Sequence, residues 1–212
     1  MNQGTDHGRL WASDRKRNLV EAAGRVLTRD GVDAIRIPTV AEEAGVTRPV
    51  VYKHFANRQA IIIAVLEDFS EALDARFRSV LSDSGESFDA SLRGVIIATC
   101  DTIEHKGPGP WRLLGSAGPD REVEQVAHEI RDRLLQPWSA RIASTTGAPR
   151  DEVLALGHVT SAVTRGVLDF WVEGRLSRDR AMQITLRSVG ALVREFAPSG
   201  IPDEDTAPPL PE

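Results

Sequence analysis

The stretch from Ile37 to Arg58, IPTVAEEAGVTRPVVYKHFANR, leaves its backbone few choices. Val40, Ala41 and Ala44 recur at helical spacing behind Thr39, a residue suited to cap that helix. Gly45 stands where the helix must stop, because glycine alone enters the left-handed region without a Cβ penalty. Val46 follows as a buried plug. Thr47 has the chemistry to cap a second short helix, Arg48 to Phe55. Pro49 fits the first turn of that helix, where N–H groups lack intrahelical partners. Asn57 is placed to cap a third helix that opens at Arg58. Two short helices across a tight turn, the second rich in cations, make a helix-turn-helix pattern, whose second helix lies in the DNA major groove.

Charge supports this division of labour. Residues 1–66 hold ten of the 26 Lys and Arg but only seven of the 31 Asp and Glu, so a basic front precedes an acidic back. The single Cys100 excludes an intrachain disulfide and fits a reducing, cytoplasmic setting. Met1–Ser13 is polar, unlike a secretory leader, and no apolar run approaches the ~20 residues that would span a bilayer.

The remaining pattern predicts an all-α chain. Residues 1–12 are expected to be a disordered arm, with Arg9 able to reach DNA. A first helix is expected after Ser13, with Arg15, Lys16 and Arg17 in its first turn against the dipole preference. A long helix follows from Arg58 to about Leu81, then one from Phe88 to about His105, capped by Ser87. Gly107-Pro108-Gly109-Pro110 is a break, and Trp111 to Gly115 is expected to form one short turn. Asp120 to about Ser144 is helical, with a kink at Pro137. Asp151 to Glu173 and Ser177 to Ala197 are the last two helices. Ala155, Val159, Ala162 and Gly166 give the first of these a small-residue face, and Val189 and Val193 lie on the apolar stripe of the second. Their excess apolar surface predicts a homodimer through a four-helix interface. The end, 198–212, is acidic and proline-rich and is expected to be a disordered tail.

The block Thr39, Val40-Ala41-x-x-Ala44-Gly45-Val46, Thr47, Tyr52-Lys53-His54-Phe55 and Asn57-Arg58 resembles the DNA-binding domain of the TetR family of transcriptional regulators, Arg58 standing where the family usually has Lys. The close resemblance covers roughly residues 15 to 70. It implies a three-helix DNA-binding domain, 13–57, and a helical effector-binding and dimerisation domain, 58–197. Tyr52, Lys53, Arg58 and Thr39 are expected on phosphates, with Arg48 on guanine and Pro49 or Val50 on a thymine methyl. Thr47 and His54 complete the expected DNA face. Thr99, Cys100, Thr160 and Thr164 lie on otherwise apolar faces, and Trp111, Trp138 and Trp171 sit near breaks or kinks. Together they are candidates to line a cavity for a hydrophobic or mixed small molecule, in the part of the chain where the family binds effectors.

An enzyme is disfavoured. His105, His128 and His158 with Asp101 and Glu129 have no metal-ligand spacing, and there is no nucleophile elbow or phosphate loop, so neither a metal nor a cofactor is expected. The expected function is a cytoplasmic, ligand-responsive repressor on a palindromic double-stranded operator. The alternative is an architectural DNA-binding protein without an effector.

Overall fold

The front of the molecule is built around the turn at Gly45. In the computed structural model, residues 4–82, 87–116 and 118–197 are described, with side chains from Asp14 onward. Among these residues the chain forms nine α-helices and no strand. Helix α1 is Gly4–Asp30, α2 is Ile37–Glu43 and α3 is Arg48–His54. Between α2 and α3, Gly45 adopts φ 65°, and its N–H donates to the carbonyl of Glu42 at 3.1 Å. The Val46 N–H donates to the carbonyl of Ala41 at 2.9 Å. This pair of bonds satisfies carbonyls that the end of α2 would otherwise leave bare. Leu19, Val26, Ile35, Val40, Val51 and Phe55 are buried together beneath the three helices.

Helix α4, Arg58–Leu81, is capped by Asn57, whose Oδ1 accepts from the Ala60 N–H at 2.8 Å. Ile61, Ile62, Val65 and Leu66 bury its first half and Leu73 and Phe77 its second. The body is completed by α5 (Phe88–Lys106), α6 (Pro108–Gly115), α7 (Arg121–Thr146), α8 (Arg150–Val172) and α9 (Arg178–Glu195). Ser87, Asp120 and Ser177 each accept an orphan N–H at the start of α5, α7 and α9. One apolar cluster runs from α1 through to α9. The core is therefore continuous across residue 58, the boundary expected between two domains. No helix among the described residues is long and apolar enough to cross a membrane.

Several local expectations are corrected. Helix α1 starts at Gly4, where an arm was expected over 1–12; no proline interrupts 4–13, so nothing stronger than Gly8 opposes continuation. Arg15, Lys16 and Arg17 then lie well past the first turn, and the dipole argument against them lapses. The Arg9 side chain, residues 1–3 and the tail from Pro198 lie outside the described residues. Thr39 sits inside α2, which begins at Ile37 behind Arg36 with Pro38 in its first turn, so it is not a cap. Thr47 is the cap residue of α3 by position, but its side chain makes no capping bond. The break at Gly107 leads directly into the eight-residue α6, because Pro108 is preset for a first helical turn. Helix α7 runs as one element through Pro137.

Arg58 ties the front of α4 to the α1–α2 connection. Its Nε donates to the Ile35 carbonyl at 2.8 Å and one Nη to the Val32 carbonyl at 2.8 Å. On the other side, Glu43 of α2 accepts from Arg25 at 2.8 Å and Arg29 at 2.9 Å, both on α1. Hydrogen bonds from Arg25 and Arg29 hold the Glu43 carboxyl below the usual carboxylate range. Its contribution is accordingly present at neutral pH and lost as pH falls through that lowered value.

Two stability predictions follow from these bonds. Gly45→Ala is expected to cost about 1–2 kcal/mol in urea unfolding, from left-handed strain alone, since a methyl there meets nothing within 4 Å. Arg58→Ala is expected to cost about 1–3 kcal/mol, and Arg58→Lys to recover only part, because an ammonium does not reproduce the fork. Unaltered unfolding midpoints in both Arg58 variants would show that the guanidinium does not brace the fold.

Candidate functional site

Helix α3 presents two unlike faces. Val51 is fully buried and Phe55, just after the helix, is 4 % exposed, which fixes the inner side. Arg48, Pro49, Tyr52 and Lys53, at spacings of one, four and five, fall on the outer side and are exposed. Tyr52 is 60 % exposed, far too much for a core aromatic. Thr47 is also exposed, with its hydroxyl released from capping, while Val50, His54 and Thr39 are half-buried. No acidic residue lies within α3, so the charge on its outer face is all positive. Lys16 stacks over the ring of Phe55 at 5.9 Å, bringing a further cation from α1 to the end of α3. Arg58 is the exception among the expected DNA contacts: its guanidinium is committed to main-chain carbonyls.

A second feature lies inside the helical body. A partly open cavity of about 100 Å³ is bounded by α4, α5, α6, α7 and α8. Leu73, Phe77, Leu92 and Ile96 give it apolar walls, and Trp111 and Trp138 close it from two sides. Thr99 and Thr164 also face it; their hydroxyls donate to the carbonyls of Val95 and Thr160, both at 2.8 Å, leaving oxygen lone pairs free.

Three expected lining residues do not line it. Thr160 is buried next to it, accepting from Trp138 Nε1 at 3.1 Å and donating to the Leu156 carbonyl at 2.7 Å, so its hydroxyl is spent on the fold. Cys100, one residue on from Thr99, is turned about 100° away toward Arg178, and burial pushes its thiol up to about 11. Trp171 is half-buried against the core away from the cavity. Two arginines that the sequence reading passed over, Arg131 and Arg165, do line it. The available signal was that Arg165 is the one Lys, Arg, Asp or Glu between Glu152 and Asp169 on an otherwise mostly apolar helix.

The outer face of α8 carries the small-residue stripe. Ala155, Val159, Ala162 and Gly166 are all exposed, Val159 to 47 %, and Phe170 continues the line. Val189 and Val193 of α9 are corrected: they are buried within the subunit at 1 % and 0 %, on a four-residue repeat with Ala181 and Thr185 that packs toward α5 and α8. Among the residues once weighed for acid–base chemistry, Asp101 pairs with Arg178, and His128 lies 3.4 Å from Asp132 on the surface.

The sequence around α3 matches the model of bacterial regulatory proteins of the tetR family over residues 19–65. The chain is 25 % identical over 188 residues to the transcriptional regulator TtgR of Pseudomonas putida, covering 87 % of this chain and 81 % of that one. It is 32 % identical over 106 residues to the transcriptional activator FasR of Mycolicibacterium smegmatis, covering 50 % and 48 %. In fold it resembles a TetR-family regulator from Streptomyces coelicolor, with a TM-score of 0.73 and 19 % identity over 93 % of this chain and 97 % of that one. The regulator PfmR from Thermus thermophilus superposes with a TM-score of 0.60 at 19 % identity, over 83 % and 97 %. Residues 19–65 thus carry the helix-turn-helix domain of the tetR family of bacterial regulatory proteins, and the whole chain shares its fold with solved TetR-family regulators.

Proposed function

We propose that this protein is a homodimeric, ligand-responsive repressor that leaves a palindromic operator when a small molecule occupies the cavity. The observation that carries the DNA half of the reading is the outer face of α3, where Arg48, Tyr52 and Lys53 stand exposed while Val51 anchors the helix behind them. Residues 13–57 then dock on DNA, and residues 58–197 bind the effector and dimerise. Lys53, Tyr52, Thr47 and Thr39 meet phosphates, and Arg48 pairs with guanine O6 and N7 beside Pro49 and Val50. Occluding a promoter in the cytoplasm is the simplest route to repression.

Two helices support coupling. Helix α4 runs from the front core to the cavity, where it supplies Leu73 and Phe77. Helix α6 supplies Trp111 to the cavity, and its Gly109 N–H donates to Thr28 Oγ1 of α1 at 3.2 Å. A methyl on Gly109 would lie 2.7 Å from the Thr28 backbone nitrogen, so α6 and α1 meet backbone to backbone. A ligand that prefers one setting of these helices changes the separation of the two α3 helices, which must match half-sites ~34–36 Å apart. The differential affinity limits the effect to ~1–3 kcal/mol. The exposed stripe on α8, small enough for close approach by a second copy, supports the dimer.

The reading is tested with duplex from upstream of the protein's own gene against a scrambled duplex, over a salt titration. Lys53→Ala is expected to weaken binding to both and to lower the salt slope by about 1; Arg48→Ala is expected to cost ~1–3 kcal/mol on the native duplex and to relax base preference. Equal affinity of the unmodified protein for both duplexes would favour an architectural protein. Ala162→Arg on α8 is expected to shift the sedimentation of the protein from dimer to monomer and to abolish operator binding with it; a dimer that survives this change excludes the α8 stripe as the interface.

A further inference from the structure

The cavity is apolar except at one end, and that end is cationic. Arg131 of α7 and Arg165 of α8 are its only charged lining residues, and no carboxylate lines it. Two other half-buried cations of the body are matched by acids, Lys106 with Asp68 at 2.7 Å and Arg178 with Asp101. Neither Arg131 nor Arg165 is in an ion pair among the described residues. Each spends one Nη on a main-chain carbonyl instead: Arg131 on Leu114 at 2.7 Å and Arg165 on Trp111 at 3.1 Å. The carboxylate nearest in effect is Asp169, and its Oδ1 accepts from Trp111 Nε1 at 2.7 Å. The one carboxylate that acts on Arg165 thus already serves an indole, and Arg131 adds a second positive charge beside it.

The guanidinium of Arg165 is held in place by the fold. It stacks on the Trp111 ring, 4.1 Å from its centroid. It also occupies space that Gly115 leaves open, since a methyl there would come within 2.0 Å of Nη1. Burial, and beyond it the charge of Arg131, push this guanidinium below the usual arginine range, with Asp169 acting the other way. Remaining N–H groups on both arginines are free to donate, and a planar fork is matched to a carboxylate. A cavity of about 100 Å³ is of the same order as one of ~150 Å³ that takes benzene.

We infer that the effector is a small amphipathic monocarboxylate, its apolar part of roughly five to seven carbons between Phe77, Ile96 and Trp138 and its carboxylate on Arg131 and Arg165. This rests on the ligand-responsive reading above and names the chemical class of ligand for that cavity. The bound anion supplies the negative charge that the two arginines lack, and its tail replaces water on apolar walls.

The test uses the full chain and matched pairs of probes: hexanoate with hexanamide, and phenylacetate with phenylacetamide. Binding is followed calorimetrically and by the fluorescence of Trp111 and Trp138. Each carboxylate is expected to bind at least about tenfold more tightly than its amide. Arg165→Gln and Arg131→Gln are each expected to bring that ratio close to one. Arg165→Lys, which keeps the charge, is expected to retain part of the preference and guards against reading a misfolded variant. Amides that bind as well as the acids, or an absence of binding by every probe, overturn the inference. Operator binding without probe is measured in parallel. If it is intact and a neutral compound releases it, the regulator reading stands without the anion; if no sequence-selective DNA binding is found, the regulator reading itself fails.

Discussion

Helix α4 is buried at both ends in different company, and that double burial governs the architecture. Its first half gives Ile61, Ile62 and Val65 to the core under α1, α2 and α3, and its second half gives Leu73 and Phe77 to the cavity. A 24-residue α-helix is about 36 Å of nearly rigid rod. Truncating a side chain such as the fully buried Phe69 would cost ~3–5 kcal/mol, so neither core can release the helix cheaply. A displacement imposed at Phe77 is therefore delivered at Arg58. There the guanidinium passes it to the Ile35 and Val32 carbonyls, and the Glu43 pairings bind α2 to α1. The front three helices are constrained to move together.

Much of this was legible because helix starts are written in short polar side chains. Asn57 and Ser87 each cap where the sequence places them, Asp120 and Ser177 cap helices expected to open at those residues, and α4 begins and ends at the expected residues. The same signal misled at Thr39, because Pro38 lets the helix begin three residues earlier without a side-chain cap. It misled again at Thr47, which occupies the cap position but makes no capping bond. At the front of α1 a polar composition suggested an arm, yet polarity alone does not prevent a helix from extending.

The cavity was half legible, and the misses follow from rotation and depth rather than from residue type. Thr99 and Cys100 are neighbours in sequence but differ by a hundred degrees around α5, so only one of them faces the space. Thr160 and Thr164 share a face, but the deeper one is taken by the Trp138 indole. The stripe expected at a dimer interface divides the same way: on α8 the small residues are left exposed, while Val189 and Val193 of α9 are consumed inside the subunit. Arg131 and Arg165 were missed because arginine on a helix is ordinarily solvated. What turns them inward is specific: the Leu114 and Trp111 carbonyls near the end of α6, the Trp111 ring, and a glycine at 115 that leaves room.

Those contacts make α6 the element with the most to transmit. It is eight residues long, too short to be stable alone, and its position is set by what it touches. At its start, Gly109 meets the backbone of Thr28 on α1; near its end, the carbonyls of Trp111 and Leu114 hold the two cavity arginines. On the proposed reading, a ligand that competes for those guanidiniums alters the bonds that position one end of α6 while the other end is pressed against the DNA-binding core. Close backbone packing leaves only the short Thr28 side chain, itself bonded to the Gly109 N–H, between α6 and α1 to absorb the shift. A ligand's preference for one setting of α6 is then also a preference for one setting of α1, and through Arg25, Arg29 and Glu43 for one setting of the helix-turn-helix.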